Sequence, residues 1–299
     1  MLFNYINWDP ITKFILWNRV TIHVYSLMFV ISFLTGRSII KYIYKIEKIH
    51  PKYIDSLLIH TVIGTVLGSR LGQVFFYDFS YFSNHWIEAI FPVKENIHSS
   101  LLGGIIKGYK FIGYKGLSSH GATIGIAFSS FLYSKNVLKN KSFLWIFDRI
   151  CIIAALSASF IRIGNFFNSE IVGKPSSYPW AVKFVQMDTD YGEVVPRHPT
   201  QIYESVSYFF LFLFLWFFYN KNKKRNEEKE IVGYISGIFF VFLWSIRFLL
   251  EFIKEPQGDE MIHLFSLNTG QLLSIPYIIF GLILLFFSKK REYFFHEKE

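Results

Sequence analysis

Residues 231–253 read Ile-Val-Gly-Tyr-Ile-Ser-Gly-Ile-Phe-Phe-Val-Phe-Leu-Trp-Ser-Ile-Arg-Phe-Leu-Leu-Glu-Phe-Ile. Arg247 and Glu251 are the only charged residues in this run. A helix of roughly 20 such residues spans the hydrocarbon core of a bilayer. Comparable blocks occupy Ile202–Tyr219 and Leu272–Phe287. Working outward from them gives seven spans, at 20–40, 55–77, 117–134, 143–163, 200–219, 232–253 and 270–288. The expected fold is an all-α polytopic membrane protein formed as a single membrane domain over residues 1–299.

Composition agrees. Of 299 residues, 52% are hydrophobic, 20% aromatic and only 18% charged, below the quarter usual in soluble domains. The net charge of +9 does not mark a nucleic-acid partner, because Lys and Arg sit in short segments between apolar blocks. Sixteen fall in four short connections, at residues 41–52, 135–141, 221–229 and 289–298, whereas ten are spread over the remaining, longer ones. The dense set belongs on the cytoplasmic side, which puts the N-terminus outside and the C-terminus inside. The first 20 residues lack the pattern of a cleaved signal and read as an interfacial arm.

Two outer connections, 78–116 and 164–199, exceed the usual loop length and are expected to form a small head with some strand content. The single cysteine, Cys151, excludes an intrachain disulfide and a multi-thiolate metal site, and reads as a packed thiol.

Five arginines lie inside the spans, each costing at least about 2.5–3.5 kcal/mol at a helix centre unless compensated. Arg37 and Arg149 lie near cytoplasmic ends, where snorkelling accounts for them. Arg70, Arg162 and Arg247 lie toward outer ends. Glu251 is four residues from Arg247, on the same helix face and in reach of an ion pair. His120 opens a span among Ser118, Ser119, Gly121 and Gly125, small residues that admit a ligand or another backbone. Tyr25 falls in the outer half of the first span, the position of an aromatic belt.

The segment Arg162-Ile163-Gly164-Asn165-Phe166-Phe167-Asn168-Ser169-Glu170 packs a cation, amides and a carboxylate where a helix should simply end. Gly164 and Gly173 are expected to permit tight turns. Arg197-His198-Pro199-Thr200-Gln201 then re-enters the membrane, with Pro199 suited to a first helical turn. Cations, amides, a histidine and carboxylates at one depth suit an anionic, amphipathic substrate such as a phospholipid headgroup, since arginine bonds phosphate bidentately.

At these residues the sequence resembles the phosphatidylglycerol–prolipoprotein diacylglyceryl transferases of bacterial lipoprotein maturation. The most specific match is Arg-x-Gly-Asn-Phe-x-Asn-x-Glu-x-x-Gly over Arg162–Gly173. Ser119-His120-Gly121 with Gly125, Gly68-Ser69-Arg70-Leu71-Gly72, Arg197-His198-Pro199-Thr200-Gln201-Ile202-Tyr203-Glu204, Ile246-Arg247-Phe248-x-x-Glu251-Phe252 and Gly270-Gln271-x-x-Ser274-Ile275-Pro276 follow the family's pattern. The chain departs from it at Val24-Tyr25-Ser26, where the family reads Trp-Tyr-Gly, at Ser32, where it has a further glycine, and at Ala122, where many members have a second glycine.

The resemblance implies transfer of the sn-1,2-diacylglyceryl group of phosphatidylglycerol to the lipobox cysteine thiol of a prolipoprotein. A thioether forms and glycerol 1-phosphate leaves. It implies Arg162 and Arg247 as phosphate-binding catalytic residues and His120 as base or proton relay. Tyr25, Arg70, Asn165, Asn168, Glu170 and Glu251 become substrate-binding residues, with no metal or cofactor. The partners implied are phosphatidylglycerol, prolipoprotein signal peptides and membrane lipids.

Three other readings compete. A transporter predicts inverted repeats, which the sequence lacks. An intramembrane serine protease would use His120 with Ser26 or Ser129, but neither has a Gly-x-Ser-x-Gly context. A lipid-binding scaffold predicts that His120 is dispensable.

Overall fold

A computed structural model describes the chain except residues 1–4, 17–19, 102–103, 112–116, 188–191, 226–231, 256–266 and 297–299. Among the described residues, seven long helices occupy the seven expected positions. They are α1 (Val24–Ile46), α2 (Tyr53–Phe76), α5 (Ser119–Asn136), α6 (Phe143–Phe167), α7 (Thr200–Arg225), α8 (Tyr234–Leu250) and α9 (Thr269–His296). A 3-10 turn, Glu251–Ile253, continues α8. Six of the seven are long and apolar enough to cross a membrane; α5 is the exception. Its Ser129, Ser130 and Ser134 are buried, so these three hydroxyls, which lower its mean hydropathy, face protein.

The chain forms two compact units. One holds the described residues of Lys52–Phe143; the other holds the described residues before and after them. In the first unit, glycines join α2 to α5. Gly64, Gly68 and Gly72 recur every four residues and so share one helix face. They lie against Gly121, Gly125 and Ser129, spaced the same way along α5. A Cβ at Gly68 would stand 2.5 Å from the Gly121 carbonyl oxygen and 2.7 Å from Gly125 Cα. Without side chains the two backbones touch, which in lipid replaces hydrophobic burial as the source of helix association. The small residues beside His120 therefore serve the approach of another backbone. Ser129 belongs to this contact, its hydroxyl donating to the Ile126 carbonyl.

The same unit contains the first long connection. It folds as two short helices, α3 (Phe79–Phe82) and α4 (Trp86–Ile90), followed by an antiparallel hairpin of β4 (Val93–Leu101) and β5 (Ile106–Phe111).

In the other unit the second long connection supplies β6 (Val182–Phe184) and β7 (Pro196–Arg197). The N-terminal arm is not a loose interfacial segment: β1 (Ile6–Trp8) adds to β6 in parallel, and β7 pairs β6 from the other side. Val172, Val182, Phe184 and Met187 form a small core there with Trp8 and Phe166, and the Trp8 indole donates to the Phe166 carbonyl at 2.9 Å. The arm continues as a hairpin of β2 (Lys13–Leu16) and β3 (Val20–His23), so the first helix begins at Val24 rather than at 20. Ser32 is buried in α1 and donates to the Met28 carbonyl.

Toward the ends assigned to the cytoplasm, Arg149 does not snorkel. It is 3% exposed, pairs with Glu47 at 2.9 Å and lies 4.0 Å over the Trp145 ring. Tyr219 also donates to Glu47. Asp148, fully buried, accepts from the Gly233 and Ser236 amides and so caps α8 from another helix. Cys151 is a free, buried thiol in α6, as expected.

Candidate active site

The signature Arg162–Gly173 begins as the last turns of α6 and leaves the helix through an irregular turn. Ser169 and Ile171 carry it at φ 54° and 59°. A β-branched residue in the left-handed region is a true outlier, of the kind that neighbouring structure must impose. The imposing contacts are visible. Thr200 Oγ1 donates to the Ile171 carbonyl at 2.8 Å, and Gln201 Nε2 donates to the Glu170 carbonyl at 2.6 Å.

The glycines expected to form the turn do something else. Gly164 lies within α6, and a Cβ there would stand 2.8 Å from the Tyr25 ring. A Cβ at Gly173 would stand 2.6 Å from both His198 Cβ and the His198 carbonyl oxygen. Both admit close neighbours, and neither has positive φ.

Four of the expected site residues meet at this turn. Arg162 Nη1 donates to Asn165 Oδ1 at 2.9 Å, and Asn165 Nδ2 donates to Glu170 Oε2 at 3.2 Å. Asn168 Nδ2 donates to the other Glu170 oxygen. Tyr25, seated on Gly164, lies within electrostatic reach of Arg162 and Glu170.

Two residues that sequence reasoning did not select hold the rest together. Glu204, with no exposure, takes Arg162 Nε on one oxygen at 2.8 Å. Its other oxygen takes Lys254 Nζ at 2.9 Å and the Tyr208 hydroxyl at 3.0 Å. Lys254, 3% exposed, also reaches Glu251 at 3.2 Å. Sequence spacing put Arg247 within reach of Glu251; Lys254, one turn further on, is an ion-pair partner of Glu251 that spacing did not single out. Arg247 acts electrostatically on both Glu204 and Lys254. Backbone pairing brings Lys254 to the signature: Lys174 N donates to the Ile253 carbonyl at 2.8 Å and Glu255 N to the Val172 carbonyl at 3.1 Å.

The available signal was a carboxylate inside a span, which always demands a partner. Glu204 is such a carboxylate within the re-entry motif, and Lys254 stands just beyond the sixth span, where a cation looks solvated.

Arg162 is thus held by an ion pair at Nε and by a hydrogen bond at Nη1. Nη2 bonds no described residue, and the side chain is 10% exposed. A guanidinium oriented in this way and left with one donating edge can bind an anion without reorganising.

Arg70 and His120 belong to the other compact unit. Arg70 donates through Nε to the Ala89 carbonyl at 3.1 Å and through Nη2 to that of Glu88, and lies 4.6 Å over the Phe82 ring. It therefore ties down the end of α4. His120 has no exposure, and its Nδ1 lies 3.1 Å from the Tyr77 hydroxyl. Outside the spans, Glu88 is buried, which pushes its carboxyl up. Hydrogen bonds from the Tyr81 hydroxyl and the Glu95 amide outweigh this and hold it below the ordinary carboxylate value. Its hold on the Tyr81 proton pushes the phenol up to about 12. Among the described residues no cluster of His, Cys, Asp and Glu could hold a metal.

The family model for prolipoprotein diacylglyceryl transferase matches residues 12–287. A phosphatidylglycerol–prolipoprotein diacylglyceryl transferase of Bacteroides fragilis is 36% identical over 288 residues, covering 96% of both chains. Its counterpart in Chloroherpeton thalassium is 37% identical over the same share. That of Protochlamydia amoebophila is 40% identical over 237 residues, covering 77% of this chain and 56% of its own. With the signature embedded in a buried ionic network and the match running from the arm to the last span, the chain belongs to the prolipoprotein diacylglyceryl transferase family.

Proposed function

We propose that this protein transfers the sn-1,2-diacylglyceryl group of phosphatidylglycerol to the lipobox cysteine thiol of prolipoproteins, the first step of lipoprotein maturation. The sulfur–carbon bond forms as the carbon–oxygen bond to phosphate breaks, and glycerol 1-phosphate leaves. The observation carrying this reading is Arg162, held at Nε and Nη1 with Nη2 unbonded by any described residue.

Charge develops on the leaving phosphate, and a donor already oriented toward it stabilises the transition state more than the ground state. Arg162 and Arg247 take the phosphate, and Glu251 orients the cations. Asn165, Asn168 and Glu170 hold the signature turn, while Tyr25 and Arg70 line the lipid path. A thiol of pKa near 8.5 must lose its proton before attack, and His120 is assigned that proton.

The Lys and Arg asymmetry supports an inner-membrane enzyme with its N-terminus periplasmic and its C-terminus cytoplasmic. On this orientation residues 78–116 and 164–199 form the outer head, where an exported cysteine meets the lipid.

The test is purified protein in detergent with phosphatidylglycerol and a lipobox peptide. Thioether product and released glycerol phosphate are expected from the wild type, and neither from Arg162→Ala or Arg247→Ala. A wild type yielding neither product refutes the reading, and near-full rate in His120→Ala refutes the role of the histidine.

A further inference from the structure

We infer that Glu204 is the positioning residue of the transferase reaction: its carboxylate sets the orientation of Arg162 and neutralises Lys254 beside it. This rests on the transferase reading above. The argument begins with cost. A fully buried carboxylate inside a span is unfavourable unless its charge and lone pairs are matched. Here both oxygens face cations from different elements, Oε1 also accepting hydrogen bonds and Oε2 matched by charge alone. Oε2 faces Arg162 Nε at 2.8 Å, from α6; Oε1 faces Lys254 Nζ at 2.9 Å, from the end of α8, and the Tyr208 hydroxyl at 3.0 Å.

Such a carboxylate does more than balance charge. The ion pair at Nε, which is not a hydrogen bond, holds that side of the Arg162 guanidinium toward Glu204, and the hydrogen bond from Nη1 to Asn165 Oδ1 fixes its roll. Together they determine where Nη2 points. Asn165 alone would leave the plane free to pivot about the Nη1 bond. Lys254 would then stand against Arg162 and Arg247 with Glu251 as its remaining partner, and like charges would displace the guanidinium. Neither Tyr208 nor Ser205, whose hydroxyl donates to the Ser159 carbonyl, can replace the missing charge.

The test is a double-mutant cycle on detergent-purified full-length protein, with phosphatidylglycerol and a lipobox peptide. Glu204→Gln keeps the shape and removes the charge. It is expected to lower kcat about a hundredfold, the scale of losing one transition-state donor, with KM for phosphatidylglycerol changed less than about threefold. In an Arg162→Lys background the same change should cost less than about threefold more, because Glu204 then has no guanidinium to orient. Glu204→Gln combined with Lys254→Met restores the charge balance and should recover part of the rate.

A purely structural role would predict a lowered melting temperature, parallel losses in both backgrounds and no recovery with Lys254→Met; that pattern overturns the inference. So does a Glu204→Gln enzyme of wild-type rate. If Glu204→Gln cannot be purified folded, Glu204→Asp, one methylene shorter, serves: it cannot span both cations and should show the same kcat loss. Wild-type protein without turnover would instead count against the transferase reading.

Discussion

Replacing Gly68 with alanine should force α2 and α5 apart and destabilise the unit they form. The added Cβ would sit 2.5 Å from the Gly121 carbonyl oxygen and 2.7 Å from Gly125 Cα, where ordinary contact begins at 3.4 Å. The helices must part by about 0.9 Å, because both obstacles are backbone and cannot rotate away. A gap of roughly 0.5–1 Å forfeits a quarter to a half of each dispersion contact along the rest of the interface. The cost expected for such overpacking is about 1–3 kcal/mol.

The assay is thermal unfolding in detergent. Gly68→Ala should lower the melting temperature by about 5 °C. Ile124→Ala, on the 52%-exposed face of α5, should lower it far less. Equal melting temperatures for Gly68→Ala and wild type would refute the close backbone contact.

Arg149→Leu should cost about 3–5 kcal/mol, because it leaves Glu47 buried without its cation; a snorkelling arginine would give almost no change in the melting temperature. At Ile171, glycine should be more stable than alanine by about 1 kcal/mol, the reverse of an ordinary position, because its φ of 59° penalises any Cβ; chemical denaturation of the two variants decides it. The depressed carboxyl of Glu88 makes the segment from Tyr81 to Glu95 acid-sensitive. Its contribution is complete above the ordinary carboxylate pKa and is lost as pH falls through the lower folded value. Protection of the Glu95 amide from hydrogen exchange should fall over that range in the wild type, and Glu88→Gln should show no such pH-dependent step.

Seven helices, their approximate limits and the signature were legible in the sequence because each is a local property. A span needs only about 20 apolar residues in a row, and Arg162–Gly173 is contiguous. What was misread depended on distant neighbours. Gly164 and Gly173 look like turn residues, yet their use is set by Tyr25 and His198; the left-handed positions fall on Ser169 and Ile171, which no propensity favours. Arg149 near a helix end suggested snorkelling, until Glu47 from α1 is seen beside it.

The sequence by itself determined that this chain crosses a membrane several times and carries a transferase signature. Hydrophobic block length and a contiguous motif require no knowledge of packing. Only the tertiary structure decided how the buried charges are matched. Spacing along one helix offered Arg247 to Glu251. Packing of α6, α7 and the end of α8 joined Arg162, Glu204, Lys254 and Glu251 in one chain of ion pairs. In a medium without water a carboxylate must be satisfied by whichever cation the fold brings to it, and that choice is made between helices rather than along them.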